Sequence, residues 1–360
     1  MENNKKIRVC HVISDYSVGG AGILLCNLLS AIDRERFPSV AFVPRSSELI
    51  TRLSDVGAQV VVGDFPAERS FSLSGYRELV SFLSHHPCDI VHTHGAAFGR
   101  MAAKRVGALA VNTRHCDTKM KTYLYNLVTD FTVATSENMM RSMYKIPAEK
   151  RLFIPNGSSC QALLDANKRL QIKQSLGIPF ASVVVGFAGR LEKIKGCDVF
   201  LRGAALALSM CDSLYFVIVG DGSEREALHE LAVSLGIEKR VIFCGYSDRV
   251  WEYMNIFDIG VNSSLGSETS SLAISEMMSM GIAVVASDIA GNSYMLKNSS
   301  GVLFPVGDPF LLGMALFELA RDEKKRALYG AAAKRRYLGE FSLSRMVERY
   351  ERLYTRLVGT

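Results

Sequence analysis

Along the first half of the chain, short apolar runs alternate with stretches whose apolar residues recur at helical spacing. The runs are IRVCHVIS, SVAFVP, AQVVVG, CDIVHTH, LAVNTRH and FTVATS, and a helical pattern runs from about Gly22 to Ile32 after the first of them. Nearly continuous apolar runs suit strands covered on both faces, and strands separated by helical patterns predict βαβ units in a mostly parallel sheet. A second series begins at SVVVGFAG and continues through LYFVIVGDG, RVIFCGY, IFDIGVNSS, IAVVAS and GVLFPV, again with helical patterns between the runs. The expected architecture is therefore α/β, with two doubly wound, Rossmann-like domains. The polar, turn-rich segment from Pro155 to Pro179 reads as the hinge, which places the domains at residues 1–170 and 171–340. In the closing segment FSLSRMVERYERLYTRL, Met346, Tyr350, Leu353 and Leu357 fall on one helical face. That face must cover something apolar, so residues 341–360 are expected to form a helix packing back toward the N-terminal domain.

Composition changes this picture little. A chain of 360 residues can hold two cores, since single cores stop growing near about 250–300 residues. Apolar residues make up 48% and charged residues 22%, and no apolar run approaches the roughly 20 residues of a membrane span. The opening MENNKKIRVCHVIS enters a strand-like run without the h-region or small-residue cleavage site of a signal peptide, so a cytoplasmic protein is expected. Eight cysteines are scattered without a Cys-x-x-Cys pair or metal-ligand spacing, which reads as reduced thiols.

Charge adds more. The first 180 residues carry 22 Lys and Arg against 15 Asp and Glu, whereas the remaining 180 carry 20 against 21. The basic half, with Arg100, Lys104 and Arg105 in GRMAAKRVGA and Lys119 and Lys121 further on, suits an anionic membrane surface. No nucleic-acid partner is expected, because no recognised binding motif accompanies the charge.

The candidate chemistry gathers at a few places. In LGSETSSLAISEMMSMG, Glu268 and Glu276 bracket Thr269, Ser270, Ser271 and Leu272 just before an apolar helical pattern. Small hydroxyls there read as a helix start, whose unpaired N–H groups attract phosphate, while carboxylates suit hydroxyl ligands. The same stretch also fits a plain N-capped amphipathic helix. GRLEKIKG sets Arg190 and Lys195 directly after a strand, where parallel sheets bind ligands, and offers a planar fork and a point charge for a diphosphate. The glycine turns YSVGGAG and VIVGDGSER do not complete a dinucleotide fingerprint, because Leu25 and Arg225 stand where third glycines would be needed. The pair Gly19–Gly20 still lets backbone amides approach a phosphate. No Asp-x-Asp occurs anywhere in the chain, so a departing diphosphate would have to be neutralised by protein cations and helix ends, and no metal is expected.

These residues together resemble the retaining, group 1 type glycosyltransferases of family GT4, which have the GT-B fold. The resemblance covers essentially the whole chain and rests on Gly19–Gly20, DIVHTHG, TRH, IPNG, GRLEKIKG, SLAISEMMSMGIAVVASDIAG and the final helix, with the spacing of Glu268 and Glu276 as its most specific element. It implies two Rossmann-like domains facing across a cleft, an acceptor-binding N-terminal domain and a donor-binding C-terminal domain. Arg190 and Lys195 would hold the donor diphosphate, Glu276 the ribose and Glu268 the transferred sugar. Gly19 and Gly20 would approach the diphosphate, the base would lie near Gly245 and Tyr246, and Thr269, Ser270, Ser271 and Leu272 would line the donor. His115, at the family's Thr-x-His position, would orient the sugar, with His94 beside it on the acceptor side, while His92 reads more simply as a structural histidine. Retention in this family is attributed to front-face attack, in which the acceptor proton passes toward the leaving phosphate. Two departures stand out: TSS replaces the usual glycine-rich stretch after the first glutamate, as in a lipopolysaccharide-type subgroup, and Tyr294 stands where an acid is common. The expected activity is transfer from a nucleoside diphosphate sugar, such as a UDP-sugar, to a glycan or lipid-linked acceptor in cell-surface polysaccharide assembly, by an enzyme peripheral to the inner face of the cell membrane. Alternatives are a GT-B-like epimerase or phosphorylase, or a non-catalytic sugar-nucleotide binding protein.

Overall fold

The structure, a computed structural model, describes residues 5–17, 19–67, 71–115, 127–266 and 270–359. The chain divides into two compact units, one of Met1–Gly157 with Leu343–Thr360 and the other of Ser158–Ser342.

In the first unit the strands are β1 (Val9–Ile13), β2 (Ser39–Pro44), β3 (Gln59–Gly63), β4 (Ile90–His94), β5 (Leu109–Arg114), β6 (Phe131–Ala134) and β7 (Arg151–Phe153). They form one sheet in the order β3-β2-β1-β4-β5-β6-β7, and neighbouring strands pair in parallel. Side chains alternate between its faces. Cys10, Val12 and Val91 join a core with Leu79, Phe98 and Ala102, whereas Val9, Ile13, Ile90 and Val111 point to the opposite core with Leu24, Leu28 and Phe37. The helix Leu343–Gly359 belongs to this second core through Met346, Val347, Tyr350, Leu353 and Tyr354.

In the second unit β8 (Val183–Ala188), β9 (Leu214–Val219), β10 (Val241–Gly245), β11 (Ile259–Asn262), β12 (Ala283–Ser287) and β13 (Val302–Phe304) form a parallel sheet in the order β10-β9-β8-β11-β12-β13. Apolar cores lie on both of its faces. In each sheet the order reverses once, between β1 and β4 and between β8 and β11, and such switch points open a ligand crevice at the carboxyl ends of the strands.

The expected boundary at residue 170 is corrected to 157. The segment after Gly157 is tied to the second unit, as the Tyr337 hydroxyl donates to the Ser158 carbonyl at 2.6 Å and the Asn255 side chain both donates to the Ala162 carbonyl and accepts from the Leu164 N–H. The helix Ala166–Ser175, capped by Asp165, therefore opens the second unit. Polar, turn-rich composition marked the linker region, but these hydrogen bonds decide where the unit begins.

Candidate functional site

At the carboxyl edge of the second sheet, three loops are stitched side by side by backbone bonds. The Gly189 N–H donates to the Val219 carbonyl at 3.0 Å, the Leu191 N–H to the Asp221 carbonyl at 2.9 Å, and the Gly220 N–H to the Gly245 carbonyl at 2.8 Å. Gly220 has φ +146, and a Cβ there would stand 1.8 Å from the Gly189 carbonyl oxygen. The glycines after β9 thus serve close packing under the loop that carries Arg190, which explains a glycine turn without a dinucleotide fingerprint. Arg190 is exposed in that loop. Lys195 ends the short 3₁₀ turn Lys193–Lys195, and the next residue, Gly196, has φ +63 with the Ser263 carbonyl oxygen only 2.1 Å from the place of a Cβ. That contact brings the loop after β8 against the loop after β11, across the switch point. Tyr246, beyond the end of β10, is exposed.

The chain after β11 leads into the helix Leu272–Met280. Ser271 is its N-cap: the hydroxyl accepts from the Ile274 N–H at 3.4 Å and from the Asn262 side chain at 3.1 Å. Ser270 and Leu272 flank the cap and are half-buried. Glu268 and Thr269 lie outside the described residues. Glu276 is partly buried one turn into the helix, and loss of hydration pushes its carboxyl up to about 7. Its Oε1 accepts from the Gln161 side chain at 3.4 Å. The Ser158 hydroxyl meets that of Ser275 at 2.7 Å, and the Gln161 N–H donates to the Ser279 hydroxyl at 3.3 Å. The strap from Ser158 to Gln161 thus lies along the helix and braces Glu276. Sequence reasoning missed this strap, because nothing local in SSCQ shows that it meets a helix more than a hundred residues later.

In the first unit, Gly19 caps the helix Gly20–Ala31, and a Cβ at Gly19 or Gly20 would meet nothing within 4 Å among the described residues. The expected histidines fall on one face of the sheet, at and near its carboxyl edge. His92 is structural: its Nδ1 lies 2.6 Å from the Tyr354 hydroxyl and its Nε2 2.7 Å from Thr113 Oγ1, and Thr113 Oγ1 lies 3.2 Å from the Tyr350 hydroxyl. His94 is buried and touches two more rings, with Nε2 3.3 Å from His11 Nδ1 and Nδ1 3.1 Å from His115 Nε2. His115 is half-buried. Burial holds His11 down at about 3, His115 at about 4 and His94 well below the usual imidazole range, so these rings are neutral at neutral pH. His11 was not singled out in the sequence, although the parallel register pairs it directly with His92. Nitrogens of His11, His92 and His94 lie within 4.8 Å of one another. Three imidazoles so placed are a possible donor set for a transition metal, but both nitrogens of His92 and of His94 are already engaged in hydrogen bonds.

Residues 182–322 match the family described as glycosyl transferases group 1, and residues 18–161 match glycosyltransferase family 4. The chain is 24% identical, over 99% of its length and 98% of the relative's, to an Escherichia coli UDP-Gal:alpha-D-GlcNAc-diphosphoundecaprenol alpha-1,3-galactosyltransferase. It is 31% identical to a Corynebacterium urealyticum D-inositol 3-phosphate glycosyltransferase, over 51% of this chain and 46% of that one. Among solved structures it is similar to Anabaena HepE in complex with UDP, with a TM-score of 0.85 and 19% identity over 97% of this chain and all of the other. Each half of the chain thus matches a glycosyltransferase family model, and the two doubly wound units match the fold of solved glycosyltransferases. The chain therefore carries an N-terminal region of the family 4 type and a C-terminal region of the group 1 type, and the protein is a glycosyltransferase of the GT-B fold.

Proposed function

We propose that the protein is a retaining glycosyltransferase that moves a sugar from a nucleoside diphosphate donor, a UDP-sugar, to a glycan or lipid-linked acceptor in cell-surface polysaccharide assembly. The observation that carries the reading is the switch point of the second sheet, where the loop with Arg190 and Lys195, the capped start of Leu272–Met280 and the partly buried Glu276 converge on one carboxyl edge. The E. coli relative, named for a UDP-Gal donor and a diphosphoundecaprenol-linked acceptor, supports the donor and acceptor classes.

In this reading Arg190 and Lys195 neutralise the diphosphate as the bond from the sugar's anomeric carbon to the phosphate oxygen breaks, so no metal is required. Glu276 accepts hydrogen bonds from the ribose hydroxyls, and Glu268 contacts the transferred sugar. The base lies near Gly245 and Tyr246. Gly19 and Gly20 leave room for a phosphate beside the helix that Gly19 caps. The acceptor hydroxyl attacks from the face the diphosphate leaves and passes its proton to the departing phosphate oxygen, while His94 and His115 serve the sugar and acceptor side. The protein is cytoplasmic and peripheral to the inner face of the cell membrane.

The test is calorimetric titration of UDP together with turnover of a UDP-sugar. Arg190→Ala or Lys195→Ala should lower turnover about 10- to 100-fold, the worth of a charge-assisted hydrogen bond, with the fold intact by circular dichroism. Glu276→Ala should weaken UDP itself. Normal kinetics in the double cation variant would refute the assignment.

A further inference from the structure

His11, His94 and His115 form a hydrogen-bonded row along one face of the first sheet. Their rings lie nearly parallel, with centroids 5.6 Å apart at 26° for His11 and His94 and 5.3 Å apart at 30° for His94 and His115. Each neutral imidazole carries one proton, so each nitrogen-to-nitrogen contact needs one N–H and one lone pair. Only two arrangements of protons satisfy both contacts at once, one pointing from the core toward the sheet edge and one pointing inward.

The inner end of the row decides between them. His11 Nε2 is buried and has no hydrogen-bond partner among the described residues. If the protons pointed inward, from His115 Nε2 to His94 Nδ1 and from His94 Nε2 to His11 Nδ1, the His11 proton would sit on Nε2 as a buried N–H without an acceptor. A buried orphan N–H is the rarer and costlier defect, whereas an unused lone pair on a weak acceptor is better tolerated. The outward arrangement leaves only that lone pair: His11 Nδ1–H donates to His94 Nε2, and His94 Nδ1–H donates to His115 Nε2. The single proton of His115 then has to be on Nδ1, the nitrogen turned away from His94.

We propose that His11 and His94 are positioning residues that lock His115 as its Nδ1–H tautomer, so that at the carboxyl edge of the sheet it presents a neutral hydrogen-bond donor, not a base, to a hydroxyl oxygen of the bound sugar. The substrate part rests on the glycosyl-transfer reading above; the tautomer does not. To act as a base through Nδ1, His115 would need the whole row to reverse and strand an N–H in the core. This arrangement suits a reaction in which the leaving phosphate takes the acceptor proton.

The experiment is a long-range proton–nitrogen correlation spectrum of the ¹⁵N-labelled full-length protein at neutral pH, with the histidine signals assigned from single substitutions. His11, His94 and His115 should all show the Nδ1–H pattern, which is the minor form of a free neutral imidazole. In His94→Leu, His115 should revert to the Nε2–H form and kcat should fall about fivefold, the worth of one neutral hydrogen bond. His94→Asn, whose amide can donate from the place of Nδ1, should restore both the tautomer and the rate. A wild-type His115 in the Nε2–H or protonated form overturns the proposal, whether or not the variants fold. So does a tautomer unchanged in His94→Leu, or one equivalent of a transition metal co-purifying with the protein on His11, His92 and His94. A wild-type protein with the expected spectrum but no sugar transfer would overturn the site reading, and with it the sugar hydroxyl as the partner of His115.

Discussion

Glu276 shows how burial makes one side chain costly to the empty protein. Burial raises its carboxyl from 4.5 to about 7, so between those values the folded protein keeps a proton that the unfolded chain has released. Stability linked to this group is therefore fully present below about 4.5 and is lost as pH rises toward about 7. Glu276→Gln should accordingly be more stable than wild type above neutrality, by at most about 3 kcal/mol, and should converge with it in acid. Gln161 is spared a mismatch, since its amide can donate to the carbonyl oxygen of either side chain. Thermal unfolding at several pH values checks this, and a difference that does not change with pH would assign the effect to packing alone. A ribose hydroxyl donating to the carboxylate would offset the same cost, so bound UDP should shrink the advantage of the variant.

At the scale of elements, the helix Leu343–Gly359 returns to complete a core whose other members lie before residue 158. Its Tyr350 and Tyr354 are fully buried, and burial pushes both phenols up. Their hydroxyls are nevertheless paired, with Thr113 and with His92. Tyr354→Phe keeps the ring but strips His92 Nδ1 of its partner, and should cost about 1–3 kcal/mol in chemical denaturation. Loss of the aromatic body in Tyr354→Ala should cost more, about 3–5 kcal/mol, because a cavity is added to the lost hydrogen bond. If Tyr354→Phe is neutral, the hydroxyl does not anchor His92.

At the scale of the whole molecule, the missing Asp-x-Asp makes turnover in excess EDTA the direct check on cation-based catalysis. Activity should be largely retained, and a complete loss restored by Mg²⁺ would contradict the role given to Arg190 and Lys195. No helix among the described residues is long and apolar enough to cross a membrane. The proposed contact with a lipid-linked acceptor by surface attraction has its own test. The basic cluster is partly committed already, with Lys104 paired to Asp130 and Arg100 bonded to Thr129, while Lys119 and Lys121 lie outside the described residues. Binding should therefore be modest: sedimentation with anionic vesicles should exceed that with neutral ones and should weaken at high salt, as exposed charges are screened beyond about 10 Å at 0.1 M. Equal sedimentation with both would remove the membrane from the proposal.

The sequence by itself determined the two parallel sheets, because strands buried on both faces must read as apolar runs and the helices between them must show their own period. It also placed Arg190, Lys195 and Ser271 at strand and helix ends and Glu276 inside the helix, since caps, glycine turns and helical periodicity are local signals. Only the tertiary structure decided what those ends meet. The boundary at Gly157, the strap from Ser158 to Gln161 against Glu276, and the glycines after β9 packed under the Arg190 loop all depend on contacts between distant segments. The histidines show the division most clearly. Alternation along DIVHTH already puts His92 and His94 on one face, yet their roles differ because of what the fold sets beside them. His92 is saturated by Tyr354 and Thr113, while His94 joins His11 and His115 in a row that ends on a nitrogen with no partner among the described residues. Hydrogen-bond partners brought together from β1, β4, β5 and the last helix are a property of packing, and no local pattern in the chain encodes them.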